Sequence, residues 1–228
     1  MADITPIARI ETPFGEKFGV PRQSGIADCP GRIVFEPAFR DPEAVRGLED
    51  FSHVWLIWQF DRALRQTWSP TVRPPRLGGN QRMGVFATRS PFRPNGLGLS
   101  AVELERVSLD EPDGPVLYVR GADMVSGTPI FDIKPYIAYA DCHPGARSGF
   151  VDSHALRRLK VEIAPELACR FNSSQLAALV KTLELDPRPH YQNDPGKVYG
   201  MPYDGRDIHF TVQGGTLTVI DVDTIAKT

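Results

Sequence analysis

Short apolar segments separated by turn residues fill the first two-thirds of the chain. Ile4–Ile10, Ile33–Phe35, Met83–Ala87, Ala101–Val107, Val116–Arg120 and Ile130–Tyr136 have the length of strands and are set off by Pro and Gly clusters such as Glu111-Pro-Asp-Gly-Pro115. Val54–Phe60 is apolar at nearly every position, which suits a strand buried on both faces or a turn of buried helix. One short helix is expected where Asp41 can cap, Pro42 takes the first helical position and Gly47 lies near the end. Many short strands with turns between them predict a barrel or a sandwich.

The pattern changes after about residue 145. His143–Gly149 has the composition of a connecting loop, and Leu159–Ile163 that of a further strand. Asn172 or Ser173 can cap a helix whose Leu176, Leu179, Val180 and Leu183 recur at helical spacing, and Pro187 stops it. Ile208–Val212 and Leu217–Val222 flank Gly214-Gly215 as a hairpin. The reading is mainly β: a domain over residues 1–145, then a small α+β domain over 150–228.

Composition narrows the function classes. Glycine and proline make up 41 of 228 residues, which argues against a mostly helical protein because helix interiors exclude both. A net charge of −2 excludes a bulk polycation that grips nucleic acid by total charge, though not a local basic patch. Cys29, Cys142 and Cys169 are too far apart for a CxxC pair, so free thiols in a reducing compartment are expected, with neither zinc nor disulfides. The N-terminus lacks the basic cluster and apolar run of a signal peptide, and no stretch is apolar enough to span a bilayer. A soluble, cytoplasmic chain without a membrane partner is the expectation.

The charge is unevenly placed. From Arg62 to Val102 there are seven arginines (62, 65, 73, 76, 82, 89 and 93), no lysine and no acid, which leaves the rest of the chain at −9. Arginine offers a planar fork to carboxylate or phosphate, the prolines around it limit the entropy lost on binding, and the glycines let backbone N–H groups approach a ligand closely. The strip either binds an anionic ligand or pairs with carboxylates elsewhere in the chain. A second candidate is Asp123–Tyr136, where Gly127-Thr128-Pro129 turns into a strand carrying Asp132, Lys134 and Tyr136 on one face; the alternative is an Asp132–Lys134 ion pair on an edge strand, since Pro135 cannot donate to a ladder. Val20–Gly25 is by itself a polar turn. His53 heads an apolar run and reads as a satisfied core group, and the other histidines lack metal-ligand spacing. Ser90 and Ser100 have no GxSxG context, and no GxGxxG opens a helix after a strand, so neither a serine nucleophile nor a Rossmann site is indicated.

Taken together, Lys17-Phe-Gly-Val-Pro-Arg-Gln23, Ala44–Glu49, Phe51-Ser-His-Val-Trp55, Pro74-Pro-Arg-Leu-Gly-Gly-Asn80, Gly84–Arg89, Arg93-Pro-Asn95 and Asp132-Ile-Lys-Pro-Tyr136 resemble the TrmO (YaeB-like) family, in order and spacing across roughly residues 5–140. Asp186-Pro-Arg-Pro-His-Tyr191 and Tyr199-Gly-Met201 extend the likeness into the tail. The resemblance implies a β-barrel methyltransferase that holds S-adenosylmethionine outside any Rossmann fold, methylates N6 of threonylcarbamoyladenosine beside the tRNA anticodon, and works as a homodimer. It assigns the cofactor to Gln23, Ser24, Gly25, Asp61, Arg89, Leu99, Val125, Ser126, Gly127 and Thr128. The modified nucleoside and its tRNA fall to Arg76, Arg82, Arg93, Asn95, Asp132, Lys134 and Tyr136. This chain departs from the family pattern at Ser126, where that pattern has Asp, and at Gly96, where it has Pro. The rival readings are a non-enzymatic RNA-binding module built on the same arginines and a hydrolase of small anionic substrates.

Overall fold

The computed structural model describes residues 4–64, 67–79, 81–154, 158–188, 194 and 196–225. Arg65 of the cationic strip, Asn80 and the His190-Tyr191 pair of the tail motif lie outside the described residues. Six antiparallel strands close into a barrel in the order β1-β2-β7-β6-β3-β8, with β8 returning to β1. They are β1 (Ala8–Glu11), β2 (Pro30–Phe35), β3 (His53–Gln59), β6 (Leu97–Ser108), β7 (Val116–Arg120) and β8 (Thr128–Pro135); the small pair β4 (Thr71–Val72) and β5 (Met83–Gly84) sits in the long β3–β6 connection.

Alternation fills the barrel. Ile10, Ile33, Val54, Leu56, Val102, Val119 and Ile130 point inward and are buried. β3 departs from the sequence reading here: its inward Val54, Leu56 and Trp58 are buried, while Trp55, Ile57 and Gln59 face outward and are only partly covered. It looked two-sided because its outward positions are also apolar. β6 is long enough to serve two partners, pairing with β3 through Leu97–Glu103 and with β7 through Glu103–Ser108, with a bulge between Leu104 and Arg106 that bends it round the barrel.

Several boundaries differ from expectation. Ile4–Ile10 supplies only β1, and Met83–Ala87 yields the two-residue β5 and then a 3-10 turn over Val85–Ala87. The predicted helix after Asp41 is a 3-10 turn, Pro42–Val45, in which the Asp41 carboxylate accepts from Glu43 N–H at 3.0 Å as a cap should. Pro135 is the last residue of β8, and β8 is not an edge strand, because closure of the barrel removes edges.

The tail forms a second sheet in the order β10-β11-β12-β9, from β9 (Lys160–Ile163), β10 (Tyr199–Tyr203), β11 (Arg206–Gln213) and β12 (Thr216–Thr224), with β9 parallel to β12. Gly214 and Gly215, both at positive φ, make the β11–β12 turn. Two one-turn helices, α1 (Ala138–Asp141) and α2 (Pro165–Ala168), precede α3 (Ser173–Glu184), which lays Leu179 and Leu183 on this sheet. Asn172 caps α3 in a reciprocal box with Gln175. Phe14, Ala27 and Cys29, from the β1–β2 connection, are buried in the same apolar cluster as the tail residues. Burial pushes the Cys29 thiol up to about 11, which keeps it protonated.

Candidate functional site

One end of the barrel is built from three loops tied together through backbone groups. The β1–β2 loop meets the β7–β8 loop where Gly25 N–H donates to Gly121 O (3.0 Å). Gly121 has φ +83, and a Cβ there would lie 3.0 Å from the backbone of Gly25, so the approach requires glycine. Further along, Ser126 N–H donates to Phe14 O (2.7 Å) and Gly127 N–H to Ile10 O (2.7 Å), while Thr128 Oγ1 donates back to Val125 O (2.7 Å). The Ser126 hydroxyl accepts Thr12 N–H at 3.3 Å. A hydroxyl oxygen suffices to accept that bond.

The third loop enters through Arg62. Its two Nη atoms donate to Gly15 O (2.7 Å) and Ser126 O (2.9 Å), and Lys17 Nζ donates to Arg62 O (2.8 Å). This guanidinium, next to Asp61 in the chain, clamps the root of the cationic connection to the Val125–Thr128 turn.

At the centre lies a polar chain that begins inside the barrel. Trp58 Nε1–H donates to Ser100 Oγ (2.9 Å), and Ser100 Oγ donates to Asp123 Oδ1 (2.6 Å). Burial raises the Asp123 carboxyl to about 6, against the opposing effects of the Ser100 hydrogen bond, backbone donors including Ser24, and the charge of Arg89. Arg89 itself donates to Gln23 Oε1. Ser24 and Arg89 therefore act on one carboxylate, Gln23 joins through its bond to Arg89, Gly25 follows Ser24, and Val125–Thr128 begins two residues after Asp123. Asp123 opens the candidate segment Asp123–Tyr136 read from the sequence, but neither that reading nor the family resemblance gave it a role of its own. The signal that could have found it is its position two residues before Val125.

The other assigned residues are dispersed. Leu99 is paired with Ile57 on β3, 56% exposed, on the outer face of the barrel. Asp132, also opposite Ile57, and Lys134 share that face and form a 3.0 Å ion pair, with Tyr136 packed 5.7 Å from the Trp55 ring. His53 is exposed and bonds its neighbour Ser52, so it is not a core group. Arg93 spends Nη1 on Val85 O (3.2 Å) and Thr88 O (2.6 Å), and Arg82 donates to Thr71 Oγ1 (3.2 Å); Asn95 is exposed. Arg76 stands near Arg22, whose guanidinium is pulled below its ordinary range by burial first, with Asp186 opposing and Arg76 adding to the shift.

Among the described residues, none of Arg62, Arg73, Arg76, Arg82, Arg89 and Arg93 forms an ion pair with a carboxylate, whereas Arg9, Arg32, Arg120 and Arg158 each do. Among the described residues the strip therefore does not serve to pair with acids elsewhere, apart from Arg89, whose charge bears on Asp123.

A closed antiparallel barrel with a charged loop cluster at one mouth, followed by a small α+β sheet, defines a class of binding protein distinct from the doubly wound nucleotide folds. The particular family follows from comparison. Residues 9–142 match the tRNA-methyltransferase O N-terminal domain and residues 157–225 the TrmO C-terminal domain, so the chain belongs to the TrmO family. It is 41% identical over 204 residues to the tRNA (adenine(37)-N6)-methyltransferase of Escherichia coli K12, covering 86% of each chain. A putative S-adenosylmethionine-dependent methyltransferase of Pseudomonas aeruginosa is 40% identical over 219 residues, 91% of each chain. The crystal structure of TrmO from Pseudomonas aeruginosa superposes with a TM-score of 0.77 at 34% identity, over 97% of this chain and 98% of that one.

Proposed function

We propose that the protein is an S-adenosylmethionine-dependent tRNA methyltransferase acting on N6 of adenosine 37, the position its relatives are named for, with threonylcarbamoyladenosine as the acceptor nucleoside. The observation that carries this reading is the convergence of Gln23, Ser24, Arg89 and Asp123 at one barrel mouth in a chain matched by the family over both parts.

The residues fit the cofactor by charge. S-adenosylmethionine carries positive charge and a carboxylate on one small molecule, and the cluster offers one buried carboxylate, Asp123, and one guanidinium, Arg89. When bound, the cofactor supplies an electrophilic methyl group on a sulfonium. The chain's part is alignment, since an in-line displacement is accelerated mostly by holding the reactants in line. Asp123, made rigid by Ser100 and Trp58, holds the cationic side, and Arg89, steadied by Gln23, the anionic side. The Val125–Thr128 turn, clamped by Arg62, shapes the remaining wall together with Gly25 and Asp61. The carbamoyl group makes the N6 proton easier to lose than that of plain adenosine, so no strong base is asked of the chain. Arginines without carboxylate partners, Arg76 and Arg82 among them, suit the threonyl carboxylate and tRNA phosphates.

Incubating the protein with S-adenosylmethionine and threonylcarbamoylated tRNA, then digesting to nucleosides for mass spectrometry, should give the modified nucleoside one methylene heavier. An unchanged nucleoside profile overturns the reading, and absent heat on mixing with S-adenosylmethionine points to a binding module instead. We further propose a cytoplasmic homodimer. Support comes from the outward apolar positions Leu99, Ile57 and Ala101 beside the Asp132–Lys134 pair, and sedimentation of Leu99→Asp as a monomer is the expected result.

A further inference from the structure

The β3–β6 connection holds two aromatic rings out of the core. Trp68 is 51% and Phe86 70% exposed, with ring centroids 6.1 Å apart and planes at 31°. The chain's other tryptophans differ: Trp58 is 5% exposed and Trp55 is partly covered. The pair has a scaffold. Val85 N–H donates to Pro70 O (2.9 Å), β4 pairs with β5, and the Arg93 guanidinium, anchored on Val85 O and Thr88 O, stands 5.6 Å from the Phe86 ring centre. Beside Trp68 a shallow pocket of about 120 Å³ is lined by Leu64, Pro91, Phe92 and Pro94 among others.

Large rings left in water cost free energy unless something covers them. The surroundings indicate what does. The segment has no acidic residue from 62 to 102, and apart from Arg89, which faces Asp123, its described arginines form no ion pair with a carboxylate, so the platform lies in positive potential. Its root is clamped to the Val125–Thr128 turn through Arg62. Flat rings amid guanidinium groups suit a flat, unpaired base on a polyanionic backbone.

We propose that Trp68 and Phe86 form a stacking platform for an unpaired base of the tRNA loop that carries the target adenosine. The proposal rests on the methyltransferase reading above and deepens it: the base stacks beside the cofactor cluster while the arginines hold phosphates, so the enzyme selects a loop over a duplex.

The test uses the full-length protein and a hairpin RNA with the anticodon-loop sequence, against a duplex RNA of equal length. Methyl transfer by wild type to the modified hairpin tests the parent reading first. Trp68→Ala and Phe86→Ala are each expected to weaken hairpin binding about tenfold, the scale of one lost base stack, while leaving S-adenosylmethionine affinity and duplex binding unchanged. Trp68→Phe keeps most of the affinity, and hairpin addition quenches the total tryptophan fluorescence of wild type more than that of Trp68→Ala. Unchanged hairpin binding in the double variant overturns the proposal. So does an equal loss on hairpin and duplex, or a change of sedimentation that assigns the rings to a contact between copies.

Discussion

Asp123 is a carboxylate that the fold keeps at a cost. Its proton is held more tightly in the native state, near 6, than in an unfolded chain near 3.8. Its contribution to stability is therefore fully present below 3.8 and is lost as pH rises through about 6. At neutral pH the charged, buried group works against folding and for the binding of a cation. Asp123→Asn keeps an oxygen for the Ser100 hydroxyl but loses the charge. Thermal scans at pH 7 should show the ligand-free variant melting higher than wild type, while calorimetry shows at least tenfold weaker S-adenosylmethionine binding. Wild-type affinity should strengthen from pH 5 to 7, and the variant's should stay flat; equal profiles would remove Asp123 from the site. Arg62 acts one step further back. Arg62→Ala frees two carbonyls and loosens the Ser126 turn, so cofactor binding should weaken roughly tenfold, the scale of one charge-assisted hydrogen bond, with far-UV circular dichroism retained.

Elements succeed or fail here on close approach and capping. β6 passes so near the Trp58 ring that a Cβ on Gly98 would sit 2.3 Å from it. Gly98→Ala must displace the indole that donates to Ser100, so its effect should reach Asp123: urea unfolding is expected to show a loss of about 2 kcal/mol, with weakened cofactor binding. The long α3 rests on its Asn172–Gln175 box, and Asn172→Ala should cost about 1 kcal/mol in urea without touching cofactor affinity. The contrast separates an element that shapes the site from one that only supports the tail. The short predicted elements fared worst. Pro42–Val45 stayed a 3-10 turn because Arg46 and Gly47 leave the helical region directly after it. Val85–Ala87 left the ladder because Phe86 has no facing strand in which to pack.

On the scale of the molecule, the tail closes a core that the barrel part opens. Phe14, Ala27 and Cys29 are covered only in the company of Leu179, Leu183, Met201 and Phe210. A chain cut after residue 145 should therefore melt lower and aggregate, and a soluble truncated barrel with an unchanged melting temperature would contradict this packing. Charge is also organised at this scale. With −2 overall and a strip of arginines free of ion pairs at Arg62, Arg73, Arg76, Arg82 and Arg93, the proposed tRNA contact is expected to be local. The logarithm of the binding constant should fall steeply and linearly with the logarithm of salt concentration, with a slope set by the few phosphates neutralised. Binding indifferent to salt would place tRNA elsewhere.

The sequence alone determined the β character, the capped α3, the Gly214-Gly215 hairpin and the uneven charge, since all of these are written in local periodicity, turn chemistry and composition. The family too was legible, from motifs in register along the chain. Local patterning left a barrel or a sandwich open, and the family resemblance pointed to the barrel that the strand pairing forms. Tertiary structure alone decided that β3 alternates and that β10 joins the tail sheet, because pairing across long separations leaves no local mark. It also decided which assigned residues meet. Gln23 and Asp123 converge because the Gly25–Gly121 approach draws their loops together, with Arg89 of the β3–β6 connection bonded to Gln23, while Leu99 and Asp132 face outward because strand geometry turns alternate side chains to opposite sides.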